Sequence, residues 1–170
     1  MKNNKGFSII ELIIVIAIIS VLTGLSIVGI GYIYTSNVKS SVHKLDASIQ
    51  KIQSYTLAKS NGGRDVGLII KQKTEDGCYY AELKGIGGQH DEKIGGKALK
   101  IECYVNGSSK VVSDTNPFEL YFDRATGGLL PQTNGGNDYC EKIVITSHGG
   151  NECTIKISKL TGRTEVEIFK

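Results

Sequence analysis

The side chains of this 170-residue chain that could do chemistry are four cysteines, three histidines and the hydroxyl, carboxyl and glycine motifs beside them. Cys78, Cys103, Cys140 and Cys153 lie too far apart for the C-x2-4-C pairs of structural zinc sites, so no metal is expected. Gly95-Gly96-Lys97 has the ending of a phosphate-binding loop, but Asp91 stands where its first glycine belongs and Ala98 where Ser or Thr is required. It is expected to be a turn. His90-Asp91 and Ser147-His148 set triad residue types side by side without a G-x-S-x-G elbow, and adjacency in sequence does not make a catalytic pair. His43 falls on the polar side of a helical pattern. Neither a catalytic constellation nor a cofactor motif emerges, and the chain is expected not to be an enzyme.

Composition narrows the field further. Lys and Arg total 20 against 17 Asp and Glu, a formal charge of +3 that is spread along the chain rather than gathered in a block. Apolar residues make up 40% of the chain and crowd its N-terminal end. From Leu12 to Val38 no residue is charged, and a helix over that run would reach ~40 Å, more than the ~30 Å hydrocarbon core of a bilayer. Lys2 and Lys5 ahead of it predict a cytoplasmic N-terminus and export of everything behind. A cleavable secretory signal would be shorter and end in a small-x-small site, which is missing here. A plain anchor leaves Glu11 unexplained, because a carboxylate inside an apolar helix costs roughly 2.5 to 3.5 kcal/mol on insertion scales. Glu11 needs a partner.

The run Lys5-Gly6-Phe7-Ser8-Ile9-Ile10-Glu11-Leu12-Ile13-Ile14-Val15-Ile16-Ala17-Ile18-Ile19 resembles the class III signal of type IV prepilins and pseudopilins. The resemblance implies a leader over residues 1–6, cleavage by a membrane prepilin peptidase between Gly6 and Phe7, N-methylation of Phe7, and an assembly role for Glu11. It also implies the partners of such a subunit: other pilins, the inner-membrane assembly platform, the membrane before assembly and a surface pilus or secretion pseudopilus after it. Many pilins carry a kinking proline roughly twenty residues into the mature helix, where this chain has Gly24, Gly29 and Gly31. Two later stretches, Leu120 to Gly128 and Lys159 to Val166, are similar to the C-terminal sheet of minor pseudopilins of the H type.

The helical pattern continues past the apolar run. Val38, Val42, Leu45, Ile49 and Ile52 recur every three or four residues, a seam that predicts one packed helical face, and Asn61-Gly62-Gly63 supplies a stop. One helix from about Ser8 to Ser60 is expected. Four segments follow: the leader (1–6), a transmembrane or filament-core helix (7–34), its amphipathic half (35–60) and a globular β-rich head (61–170). Strands are expected over Gly67–Lys73, Cys78–Lys84, Ala98–Val105, Phe118–Asp123, Lys142–Thr146, Cys153–Ser158 and Arg163–Phe169, with Thr161-Gly162 as a tight turn. Alternation in the last two predicts an antiparallel sheet lying on the seam. The fold class is therefore α+β, and the resemblance implies the type IV pilin fold.

A hairpin of Cys78–Lys84 with Ala98–Val105 would bring Cys78 to Cys103 and leave Cys140 with Cys153. Four free thiols are the alternative. For DNA capture the head would need a clustered basic face, and its lysines and arginines are scattered among acids. The resemblance thus implies a structural subunit of a type IV pilus or related filament, with a secretion pseudopilin or a DNA-uptake pilin as the alternatives.

Overall fold

The computed structural model describes residues 8–59, 64–87 and 91–168, with the side chains of residues 25–30 left out. The peptide bond between Gly6 and Phe7, the Asn61-Gly62-Gly63 stop and His90 lie outside the described residues. Helix α1 runs over Ile9–Ala58, 50 residues, and its helical backbone passes through Gly24, Gly29 and Gly31, since glycine, unlike proline, keeps its amide donor. The chain divides into two units, Met1–Ile33 and Tyr34–Lys170, and α1 contributes to both.

In the second unit the five seam residues Val38, Val42, Leu45, Ile49 and Ile52 are buried to 1% exposure or less. The polar residues between them face outward or bond locally, as Ser41, Ser48 and Thr56 do to the carbonyls four residues back. Strands β1 (Gly67–Gln72), β2 (Tyr79–Lys84), β3 (Asp91–Gly95) and β6 (Phe118–Tyr121) form a sheet in the order β3-β2-β1-β6. A second sheet contains β4 (Leu99–Val105), β5 (Ser108–Val111), β7 (Cys140–Ser147), β8 (Glu152–Ile157) and β9 (Thr164–Ile168) in the order β5-β4-β7-β8-β9. Neighbours are antiparallel throughout. Leu68, Ile70 and Leu120 from the first sheet and Ile101, Ile143, Ile145 and Ile155 from the second join the helical seam in one apolar cluster.

The α+β class is as expected, but the sheet is two sheets, and β3 and β5 were not anticipated. Asp91-Glu92-Lys93 and Ser108-Ser109-Lys110 carry no apolar alternation because both strands lie at sheet edges, where only one side needs a partner. The hairpin signal for β5 was present: Asn106 and Gly107, at φ 49° and 76°, form the two-residue turn that puts Val105 opposite Ser108.

Neither expected pairing is seen, and the structure holds all four cysteines as buried thiols. Cys78 precedes β2, whose neighbours are β1 and β3, whereas Cys103 lies in β4 of the other sheet. The anticipated hairpin does not exist because β3 takes the place beside β2. Cys153 pairs with Ile145, five residues up β7 from Cys140, which is ~17 Å along a strand and beyond any disulfide.

Polar side chains tie the turns to the helix. Gln53 Nε2 donates to the carbonyls of Gly127 at 2.8 Å and Thr161 at 2.7 Å, and so holds two turns at once. Gly162, at φ 64°, lies so close to the Gly127 carbonyl that a Cβ there would stand 2.2 Å from its oxygen. Across the first sheet Lys73 pairs with Asp91 at 2.7 Å, Lys71 pairs with Glu82 and Asp91, and Lys93 approaches Asp76 at 3.6 Å. Asp76 also accepts bonds from the Cys78 amide at 2.9 Å and the Tyr80 hydroxyl at 2.7 Å. Those bonds, the amide's first, draw its carboxyl down to about 2.

Two predictions follow from this packing. A chain beginning at Tyr34 should be a soluble, monomeric, cooperatively melting protein, and Ile49→Ala should lower its stability by about 2 to 5 kcal/mol in a urea titration. Because Asp76 titrates lower in the folded chain than in the unfolded one, its contribution is present above pH ~4 and disappears as pH falls towards 2. The melting temperature of wild type should therefore exceed that of Asp76→Asn near pH 6, and the gap should close as pH is lowered from 5 to 2.5.

Candidate processing and assembly segment

The described N-terminal segment begins with Ser8 and Glu11 on the first turn of α1. The Ser8 amide donates to Glu11 Oε2 at 2.9 Å, the Ile10 amide lies 3.4 Å from Ser8 Oγ, and the Leu12 amide closes the first helical ring onto the Ser8 carbonyl at 3.2 Å. Ser8 is thus the N-cap and Glu11 the third helical residue, the S-x-x-E capping box that satisfies amides the helix itself leaves open. The Glu11 carboxylate also lies at the positive end of the helix dipole. The partner that Glu11 requires is, within one chain, the start of its own helix. Sequence reasoning passed over Ser8, although Ser8-Ile9-Ile10-Glu11 carries the S-x-x-E signature before an apolar run.

Beyond the cap the segment is apolar on all sides. From Ile9 to Leu22 every large apolar side chain is exposed, from 46% at Val15 to 78% at Ile9. Ser20 in that stretch and Thr23 just after it turn their hydroxyls to the backbone, Ser20 Oγ to the Ile16 carbonyl at 2.8 Å and Thr23 Oγ1 to that of Ile19 at 2.7 Å, so neither offers a polar face. A helix apolar all round is built for surroundings other than water. Among the described residues no helix is long and apolar enough to cross a membrane: the described apolar side chains run over residues 9–24, short of the ~20 residues a span needs, and the uncharged sequence continues to Val38. Gly6 and Phe7 lie outside the described residues, and Glu11 is the one residue of the expected processing and assembly set that the structure places.

The remaining candidate residues of the head are not brought together. Ser147 is buried, with its hydroxyl unpaired among the described residues, while the neighbouring His148 is exposed and its Nδ1 lies 2.9 Å from the Ala98 carbonyl, to which it donates. Their side chains serve different surroundings and do not form a relay. His43 is exposed on α1. Gly95 ends β3 and Gly96 starts the turn into β4, where the Leu99 amide bonds the Gly96 carbonyl at 3.2 Å. No group of three His, Cys, Asp or Glu side chains among the described residues is arranged to hold a metal ion. A concavity of about 860 Å³ on the second sheet is lined by Lys142, Lys156, Arg163, Glu141 and Glu165, so its charges are of both signs.

Neither the curated proteins nor the solved structures yield a match to this chain. The N-terminal segment does have one: residues 1–27, which include the capping box and the apolar turns after it, match the family model described as the prokaryotic N-terminal methylation motif, so the chain carries the class III signal of type IV pilin-like subunits.

Proposed function

We propose that the protein is a structural subunit, of the minor kind, of a type IV pilus or related filament, inserted in the cytoplasmic membrane before assembly and displayed at the cell surface afterwards. The observation that carries this reading is a carboxylate held at the capped start of a helix that is apolar on every side, within the segment that matches the methylation motif. Prepilin peptidase cuts between Gly6 and Phe7, and Phe7 becomes the methylated N-terminus. The head works by binding rather than turnover. The H-type resemblance of its later strands and the glycines in place of a kinking proline favour a minor subunit over the bulk filament protein. Of the alternatives, a DNA-binding head has the least support, since Lys71, Lys73, Lys93, Lys100 and Lys156 are each paired with an acid.

Glu11 couples processing to assembly in this reading. In the uncut chain its charge is partly compensated by the Ser8 amide. Cleavage creates an amine at Phe7, and in a growing filament the amine of a neighbouring subunit offers the carboxylate a full counter-charge in a low-dielectric setting, where such a pair is strong. That partner exists only after the peptidase has acted.

Mass spectrometry of the mature protein should show a chain beginning at N-methylated Phe7, with Lys2 and Lys5 gone and the formal charge lowered from +3 to about +1. An intact Met1, or a cut near Ser26, would refute the processing scheme. Glu11→Ala should leave membrane insertion and cleavage intact but reduce incorporation into isolated filaments roughly tenfold, the equivalent of one charge-assisted hydrogen bond. Glu11→Asp should fall between the two, and filaments that hold the alanine variant at wild-type stoichiometry would reduce Glu11 to a helix cap.

A further inference from the structure

The register of β4 against β7 contains one irregularity, and it falls beside a cysteine. Cys103 stands opposite Ile143 and Tyr104 opposite Lys142, yet the next step pairs Val105 with Cys140, so Glu141 is an extra residue with no partner of its own. Without that bulge the alternation would put Cys140 on the outer face with Lys142, whose ammonium lies 4.4 Å from the centre of the Tyr104 ring. With it, Cys140 turns inward to 1% exposure, on the same face as Cys103 at 0%. The two thiols become diagonal neighbours across adjacent strands of one core.

We infer that Cys103 and Cys140 are a disulfide site that staples β4 to the start of β7. The Cys140 thiol bears on Cys103: burial first, and then the neighbouring Cys140, hold the Cys103 thiol well above its ordinary range. Burial likewise pushes Cys140 up to about 12. In a regular ladder diagonal Cα atoms stand ~7–8 Å apart and a disulfide takes up to ~7 Å, so closure asks for an approach of about an ångström, at the bulge where the ladder yields most readily. Cys78 and Cys153 stand in other strand neighbourhoods, before β2 and opposite Ile145, and stay thiols.

Burial also fixes when the bond can form. A thiol that is neutral and buried does not attack, so the bridge has to close while the head is folding and its cysteines still meet solvent. One thiolate attacks a disulfide oxidant such as oxidised glutathione and releases one reduced glutathione; the second thiolate then displaces the other. The two thiol protons pass through solvent to the two released glutathione thiolates, and the electron pair goes to the same two sulfurs. Meeting such an oxidant in the cell rests on the export proposed above, whereas the following test does not.

The full chain, purified in detergent under reducing conditions, is unfolded in guanidinium, refolded in mixed reduced and oxidised glutathione, and alkylated after a second denaturation. Two cysteines should escape alkylation, and peptide mapping should find Cys103 joined to Cys140. Reduction should lower the melting temperature by roughly 10 °C. The double variant Cys78→Ala/Cys153→Ala should keep the bridge and that shift, and Cys140→Ala should lose both. Four alkylated cysteines, or a bridge that includes Cys78 or Cys153, would overturn the assignment.

Discussion

The head depends on the removal of one helical stripe from water. Val38, Val42, Leu45, Ile49 and Ile52 are almost fully buried, and the two sheets that cover them are separate hydrogen-bonded ladders. Backbone pairing therefore does not make the sheets into one body. The shared apolar cluster does, with the seam as one of its walls. The turns are then fixed against the same helix, as Gln53 shows by donating to the Gly127 and Thr161 carbonyls together.

The first turns of α1 obey the opposite rule. Their apolar side chains face outward on every side, so this stretch is incomplete as a folded object in water and needs lipid or other helices around it. A carboxylate in such a place is tolerable only if its charge has somewhere to go. The capping box gives Glu11 the Ser8 amide and the positive end of the helix, a modest compensation that a full positive charge can outbid. In the proposed reading, the residue that starts the helix is also the one that awaits a partner.

Several charges of the head pair with one another. Lysines of the first sheet sit across from Glu82, Asp91 and Asp76, and Lys156 of the second sits across from Glu167. Exposed pairs of this kind contribute little stability each.

Elements whose signal is local can be read from the residues alone. An uncharged run with lysines before it and a glutamate inside it, and a seam recurring at the helical period, name α1 and its two characters from residues a few positions apart. Strands other than β3 and β5 announce themselves by runs of alternating or β-branched residues bounded by glycine turns. The cap at Ser8 and the Asn106-Gly107 turn were equally legible, since each is a local motif, and were passed over. Which strand lies beside which is settled by packing between distant parts of the chain. β3 and β5 are polar edge strands with no period to read, and β3 displaces the hairpin that would have joined Cys78 to Cys103. The inward turn of Cys140 depends on the extra residue at Glu141, which exists only relative to the register of β4. Strand pairing is a contact between residues distant in the chain, settled by the cohesion of the whole core, and a side chain's face in a sheet follows from that pairing rather than from its neighbours in sequence.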